Sequence, residues 1–276
     1  MIDDIKIFDA HMHHAGRFKK REQNLIEFMD HYKIDRAMVT TLNQMTSLNS
    51  ILKSDLNIDE GDFLEKFIPK GQYDHEEVRK LVNDHPDRIT GFFWFNTKIA
   101  TDRDWRLLEK YIDEYNFRGI KTQTFVDLLR VPQDLYQLAE FCIEKNIPLF
   151  VHSGSAFFFQ KPVRSKDYFR LAKKYPELKL IIGHAAFTME HAISLVRFFA
   201  RDSSTPNVYF ETSCSIPYGI MTLVKAMGTH RVLYGSDSPT ATTPDIEINK
   251  IKILHFDKET QENIFYKNAD RLVDKT

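Results

Sequence analysis

Short apolar runs recur along the chain, and most are followed by a longer stretch with the period of an amphipathic helix. The runs are rich in β-branched and aromatic residues, which predicts buried strands. They lie at residues 5–10, 36–42, 89–95, 119–124, 148–153, 178–184, 208–213 and 231–237. Amphipathic helices are predicted at 24–32, 75–85, 104–115, 134–145, 167–175 and 189–199. Strands alternating with helices in this way predict a closed (β/α)8 TIM barrel of the α/β class.

The chain is expected to form a single domain over residues 1–276, because no Pro/Gly/Ser-rich linker or internal repeat divides it. An open doubly wound sheet is the alternative, but no Gly-rich phosphate loop follows the first strand. Two connections are longer than a turn requires, at residues 43–74 and 154–167. Both are expected on the C-terminal rim of the barrel, where active sites of this architecture are built.

Composition excludes several classes of function. Hydrophobic residues make up 42% of the 276 residues and charged residues 28%, which suits a globular protein with a sizeable core. The net charge of -1 and the lack of a basic stripe argue against nucleic acid as a partner. Cys142 and Cys214 are not spaced as a pair, so we expect core thiols in a reducing cytoplasm. Neither a signal peptide nor an apolar run of membrane length is found, so no membrane partner is expected.

The stretch "FDAHMHH" at residues 8–14 carries the first candidate chemistry. His11 and His13 are two positions apart, so on a strand they point to the same side and can bind one metal ion. Taken by itself, this pair of histidines could be the polar end of a strand. However, His152, His184 and Asp237 end the fifth, sixth and eighth apolar runs. Closing the barrel would bring all five side chains to one rim, which predicts a metal site.

Imidazole and carboxylate ligands without thiolate suit one divalent metal ion, for which we predict Zn2+, with Mn2+, Fe2+ or Co2+ as alternatives. Three histidines and one aspartate leave a coordination position for water. A bound metal lowers the pKa of that water towards ~7, which supplies hydroxide at neutral pH.

Several motifs together resemble the amidohydrolase superfamily, specifically its amidohydrolase-2 branch, which includes aminocarboxymuconate-semialdehyde decarboxylase. The matching motifs are "DAHMH", "VHSG", "IIGHAA" and "LYGSDSP", with softer matches at "HPDRITGFFWFN", "FRGIKTQT" and "NIFYKNADRLV". The resemblance covers nearly the whole chain. It is specific for the superfamily and the branch and says little about the substrate.

The resemblance implies that His11, His13, His152 and Asp237 bind one metal ion. It makes His184 a catalytic residue or a neighbour of the ligands, and Asp237 a group that holds the water and relays its proton. Alternatively, His184 binds a second metal ion, as in binuclear relatives with a carboxylated lysine on the fourth strand.

Lys121 is the only lysine on that strand, and we favour an ammonium that binds a neighbouring side chain or a substrate anion. The branch often has a histidine where this chain has Gln123, which leaves the local substrate contacts open. Arg17 could bind a substrate carboxylate in a bidentate fork, or be an ordinary exposed arginine.

Other polar residues are expected to have structural roles. Lys161 and Arg164 are interpreted as solvated loop charges, and His14 and Asp9 as structural groups. The remaining histidines are expected at the surface or at helix ends: His31, His75, His85, His191, His230 and His255.

Three functions remain open at this point. The first hypothesis is a metal-dependent hydrolase in which a metal-bound hydroxide attacks an ester, lactone or amide carbonyl of a small molecule. The second is a lyase, a metal-dependent non-oxidative decarboxylase of an unsaturated or aromatic carboxylic acid. The third is a barrel that binds metal and ligand without turnover. The expected partner is a small molecule, with a carboxylate as the favoured group, and a homodimer is possible.

Overall fold

The computed structural model describes residues 4–42, 71–153 and 163–274, and within them the strands form one parallel sheet of eight. The strands follow each other around the sheet in chain order. They are β1 Phe8–His13, β2 Arg36–Thr40, β3 Ile89–Trp94, β4 Gly119–Thr122, β5 Leu149–Val151, β6 Leu180–Ile182, β7 Val208–Glu211 and β8 Val232–Leu233. The predicted distorted (β/α)8 barrel is confirmed.

Backbone hydrogen bonds close the sheet between β8 and β1. Ala10 N donates to Tyr234 O over 2.9 Å, Asp237 N to His11 O over 2.7 Å, and His13 N to Ser238 O over 2.8 Å. The closing contacts run past the end of β8, so they hold the segment that carries Asp237 directly against the histidines of β1.

Helices separate the strands wherever the structure describes the connection. Two of them begin with a reciprocal capping box, at Asn24 with Glu27 and at Thr101 with Asp104. Two others begin with proline in the first turn, where its missing N–H costs nothing. The helices are α1 Leu25–His31, α2 Glu76–Asp84, α3 Asp102–Asp113, α4 Tyr136–Glu144, α5 Ser165–Lys174, α6 Met189–Phe199, α7 Pro217–Met227, α8 Pro244–Lys252, α9 Lys258–Glu262 and α10 Asn268–Val273.

The apolar residues form two clusters, one on each side of the strands. The larger lies between the strands and the surrounding helices. The smaller contains Phe8, Met38, Phe92, Phe150, Ile181 and Leu233, packed with residues of α10. Apolar positions two apart on β2, β5 and β6 fall in the same cluster, as the pleat requires, whereas on β1 a register shift between Asp9 and Met12 places Ala10 and Met12 in different clusters. The smaller cluster therefore marks the side of each strand that faces the barrel interior.

Seven of the predicted runs each contain one observed strand, which is shorter than the run and spans only Val232–Leu233 at β8, whereas the first run differs in position. The first apolar run was expected at residues 5–10, whereas β1 spans Phe8–His13 and includes both histidines of the motif. The long connections at 43–74 and 154–167 lie largely outside the described residues. In the described part of the chain, no helix combines the length and hydrophobicity needed to span a bilayer. The homodimer and the cytoplasmic location stay predictions.

Candidate metal centre

The ends of β1 and β8 bring three candidate ligands together at the barrel mouth. His13 Nε2 lies 3.1 Å from Asp237 Oδ1, and His11 Nε2 lies 3.5 Å from the same oxygen. These atoms all lie within 4.8 Å of one another. Ligand atoms bound at about 2.0–2.2 Å to one tetrahedral ion are separated by about 3.3 Å, so the spacing fits a shared metal ion.

Hydrogen bonds fix which nitrogen of each ring faces this centre. His13 Nδ1 contacts the carbonyl oxygen of Thr41 at 2.9 Å, and a carbonyl can only accept, so Nδ1 carries the proton. His11 Nδ1 faces Glu211 Oε2 at 3.3 Å and Ser213 Oγ at 3.1 Å. In the neutral rings both Nε2 lone pairs therefore face the Asp237 carboxylate. Acceptors this close suit a shared positive centre, and a divalent ion bound between them would supply one.

Glu211 lies directly behind these imidazoles and was missed in the sequence analysis. Its carboxylate is fully buried and also accepts hydrogen bonds from Ser213 Oγ at 2.9 Å and from His184 N at 3.1 Å. A Cβ at residue 235 would collide with this carboxylate, so only glycine fits there. Position was the available signal, because Glu211 lies near the end of the seventh apolar run, where the other candidates lie in theirs.

His184 and His152 form a second pair beside the first group. His184 Nδ1 donates to the carbonyl oxygen of Ser213 over 3.1 Å, which leaves Nε2 as the acceptor of the neutral ring. That Nε2 lies 3.0 Å from His152 Nδ1 and 3.9 Å from Asp237 Oδ2. His152 therefore contacts His184 here and is not grouped with His11 and His13. Its role as a ligand of the same ion stays a prediction.

Lys121 reaches the same centre from β4. Its Nζ lies 2.9 Å from His11 Nε2 and 3.6 Å from the centre of the Phe150 ring, and the side chain is buried. Burial lowers the pKa of Lys121 to about 7, against the opposing effect of Asp237 and Glu211. The amine can thus be neutral beside an imidazole or charged beside an anion.

Electrostatics favour the protonation states that bind metal. Burial, followed by the charge of Lys121, holds the pKa of His11 well below its ordinary value. Burial and the neighbouring His184 do the same to the pKa of His152. Burial opposes ionisation of Asp237, but the adjacent His11 and His13 rings keep its pKa below the usual range. Neutral imidazoles and an ionised carboxylate are the ligating forms.

The weaker candidates are exposed or contact other residues. Arg17 is exposed in the loop after β1 and forms none of the hydrogen bonds that link the described site residues. Arg164 is exposed and pairs with Asp167 at 3.0 Å, as a solvated charge would, whereas Lys161 lies outside the described residues. His14 accepts a hydrogen bond from Leu42 N at 3.2 Å, in keeping with a structural role.

His75 and Asp9 were expected to have structural roles, and the structure shows the contacts that each of them makes. His75 lies at a helix end as expected, directly before α2, but its side chain is neither exposed nor hydrogen-bonded as a cap. It is buried, stacks on Phe93 at 3.8 Å and accepts the backbone N–H of Trp94 over 2.7 Å. Asp9 is structural as expected, because its Oδ1 accepts the N–H groups of His11 and Ser236 at 3.0 Å each.

The family model described as "Amidohydrolase" matches residues 8–275. The chain belongs to this family. It is accordingly an enzyme of the amidohydrolase superfamily, as the motifs implied. None of the curated proteins compared with the chain matches it significantly.

Solved structures with the same fold include several decarboxylases. A 5-carboxyvanillate decarboxylase from Novosphingobium aromaticivorans, complexed with manganese and 4-hydroxy-3-methoxy-5-nitrobenzoic acid, is 18% identical with a TM-score of 0.63, covering 93% of this chain and 80% of that one. A 2,6-dihydroxybenzoate decarboxylase from Rhizobium is 14% identical with a TM-score of 0.65, covering 98% of both. A dihydroxybenzoic acid decarboxylase from Polaromonas, with manganese and 2-nitroresorcinol, is 16% identical with a TM-score of 0.65, covering 98% and 97%. At these identities the likeness establishes the fold.

Proposed function

We propose that this single-domain barrel, residues 1–276, is a metal-dependent, non-oxidative decarboxylase of a small aromatic or unsaturated carboxylic acid. The observation that carries the metal dependence is the convergence of unprotonated Nε2 atoms of His11 and His13 on the Asp237 carboxylate. Structurally similar proteins that are named as decarboxylases of aromatic acids support this reaction. Decarboxylation therefore takes precedence over the hydrolysis that the sequence favoured.

The proposed ligands of one divalent ion are His11, His13, His152 and Asp237. Imidazole nitrogen and carboxylate oxygen accept Zn2+ and Mn2+ alike, and the manganese in two similar structures supports Mn2+ as an alternative to the predicted Zn2+. When bound, the ion would hold and polarise oxygen atoms of the substrate. His152 has to turn from His184 to take part.

Lys121 is the proposed binding group for the substrate carboxylate. Its buried amine lies at the centre of the site, and a carboxylate close to it would favour the ammonium form. The Phe150 ring lies against Nζ, and Trp94 lies beside His13 with 6.1 Å between the ring centroids. These aromatic side chains form an apolar boundary suited to an unsaturated or aromatic substrate.

His184 is the proposed proton donor. Its Nδ1 proton is held by the Ser213 carbonyl, so a second proton on the imidazolium resides on Nε2, the atom facing Asp237 Oδ2. In the reaction the bond between substrate carbon and carboxylate breaks, CO2 leaves, and the electron pair on carbon takes this proton. The ring returns to neutrality without losing its hydrogen bond to Ser213.

The test is a panel of aromatic and unsaturated acids carrying 13C in the carboxyl group. Protein stripped with a chelator and reloaded with Mn2+ or Zn2+ is expected to release labelled CO2. In D2O, deuterium should appear on the carbon that carried the carboxylate. The chelated protein and the variants His11→Ala and Asp237→Ala should lose both metal and turnover, whereas His184→Asn should retain metal and lose turnover.

Hydrolysis is the second candidate, because the matching family model carries the description "Amidohydrolase". Metal-dependent cleavage of esters, lactones or amides with no CO2 from any acid would favour it over decarboxylation. Full turnover by a metal-free preparation would contradict both proposals.

A further inference from the structure

Asp237 presents its two carboxylate oxygens to two different sets of metal-binding side chains. Oδ1 faces His11 and His13, as described above. Oδ2 lies 3.9 Å from His184 Nε2 and 4.0 Å from Cys214 Sγ. The ligand atoms of His184, Cys214 and Asp237 all lie within 4.8 Å of one another. The proposed function assigns no role to Cys214.

We propose that His184, Cys214 and Asp237 form a second metal position, selective for thiophilic ions, and that an ion bound there inhibits the enzyme. The site rests on the proposed function for the position of the first ion, and the inhibition rests on the proposed role of His184 as proton donor. An ion at Oδ2 would share the Asp237 carboxylate with the ion at Oδ1, so the aspartate would bridge them.

The spacing of these atoms suits zinc. In a tetrahedral site, bonds of about 2.0–2.2 Å to nitrogen and oxygen separate those ligand atoms by about 3.3 Å, and a bond of about 2.3 Å to sulfur separates sulfur from oxygen by about 3.5 Å. The observed 3.9 Å between His184 Nε2 and Asp237 Oδ2 and 4.0 Å between Cys214 Sγ and Asp237 Oδ2 therefore exceed these separations by about half an ångström, which a small side-chain movement closes. The ion would take the place of the hydrogen bond between His184 Nε2 and His152, and Cys214 would release its thiol proton on binding.

The segment that carries Cys214 is held firmly. Ser215 Oγ accepts the N–H of Ala186 over 3.1 Å, and Ser215 N donates to Thr212 O over 3.1 Å. The first bond joins the segment after β7 to the turn after β6, which carries His184, and the second closes a turn within the segment that carries Cys214. The two side chains are thus positioned relative to each other before any ion arrives.

Thiolate makes the second position selective. Soft sulfur ligands favour zinc, whereas manganese prefers oxygen and nitrogen ligands. The first position, with imidazole and carboxylate alone, accepts both ions. Excess zinc is therefore expected to fill both positions and to occupy His184 Nε2, the atom from which the proposed proton transfer occurs. Manganese is expected to fill only the first position and leave His184 available.

The experiment titrates apo protein with Co2+ and follows thiolate-to-metal charge-transfer absorption in the near ultraviolet. Wild type should show no such band with the first equivalent and a band with the second. Cys214→Ser should bind one equivalent and show no band. Cys142→Ser is the matched control, because Cys142 is a buried thiol on α4 remote from the site, and it should behave as wild type. Metal analysis should give two zinc ions per chain but one manganese.

Each alternative outcome has a distinct meaning. If the wild-type protein binds one equivalent of Co2+ and shows no thiolate band, the proposed second position is wrong and the proposed function is unaffected. A band that persists in Cys214→Ser overturns the assignment of the ligand. Failure to bind any metal overturns both proposals. If Cys214→Ser does not fold, X-ray absorption of the wild-type protein with two zinc equivalents decides, because a sulfur neighbour at about 2.3 Å is required.

Discussion

The Glu211→Gln variant tests how the metal centre is built. The Oε2 atom of Glu211 accepts from His184 N, His11 Nδ1 and Ser213 Oγ, while Oε1 accepts from Ser213 N. Glutamine would keep its oxygen at the Oε2 position, where three donors meet, and turn its NH2 group towards Ser213 N. The variant therefore creates one buried contact between two donors and removes the negative charge behind His11.

Two separate losses follow from this geometry. An unsatisfied buried donor reduces the free energy of unfolding by about 1–3 kcal/mol. Loss of the carboxylate that orients a ligating histidine weakens metal binding by about 10–100-fold, which corresponds to about 1.4–2.7 kcal/mol. We expect the first loss in urea unfolding of the apo protein and the second in competition with a chelating dye.

Asp127→Asn is the matched control. Asp127 is also a buried carboxylate with three donors, from Tyr73 Oη at 2.5 Å, Trp94 Nε1 at 2.9 Å and Gln123 N at 3.1 Å, but it contacts none of the candidate ligands. It should lose stability and keep its metal affinity. If Glu211→Gln binds metal as tightly as wild type, or if both variants weaken binding equally, the reasoning about Glu211 is refuted.

Three further predictions concern other buried groups. Burial lowers the pKa of His75 from 6.5 to about 3, so its contribution to stability is complete above pH 6.5 and is lost as the pH falls towards 3. His75→Gln should therefore remove about 3 kcal/mol of the stability difference between pH 7 and pH 4 in urea unfolding, and an unchanged pH dependence would contradict this. Asp9→Ala should reduce the free energy of unfolding by about 2–5 kcal/mol, because the N–H groups of His11 and Ser236 lose their acceptor. Asp9→Asn should reduce the free energy of unfolding much less in the same assay, because burial raises the pKa of Asp9 to about 8 and keeps the group neutral at pH 7. Equal losses of stability in the two variants would contradict this. Lys121→Met should weaken binding of an aromatic carboxylate by about 10–100-fold in calorimetry at constant metal content, and unchanged affinity would exclude the proposed contact.

The barrel and part of its site could be predicted because strand periodicity is a local property. Alternation along β1 places His11 and His13 on one side, and the same reasoning applies to every apolar run that ends in a polar ligand type. The start of β1 was misplaced by three residues because "IKI" at 5–7 is as apolar as the strand itself. A local hydrophobic pattern predicts that a strand exists, but it locates the first residue of that strand less accurately.

Groups whose role depends on barrel closure could not be predicted in the same way. Glu211 meets His11 only because β1 and β7 approach across the interior, and it fits only because residue 235 is glycine. The burial of His75 was not predicted, because it stands at the start of an amphipathic helix, where histidines are commonly exposed. Its burial arises from Phe93 and Trp94 on β3, which no local pattern connects to it.

Left-handed backbone conformations explain why His184 and Cys214 face the centre at all. Gly183 and Glu211 face the barrel interior, so regular alternation would turn the side chains of residues 184 and 214 away from it. Both have positive φ, 52° at His184 and 55° at Cys214, which reverses this direction. Such a conformation costs a non-glycine residue about 1–2 kcal/mol. Cysteine lacks the local hydrogen bonds that ease this cost for aspartate or asparagine, so the backbone at Cys214 bears this cost beside Asp237 Oδ2.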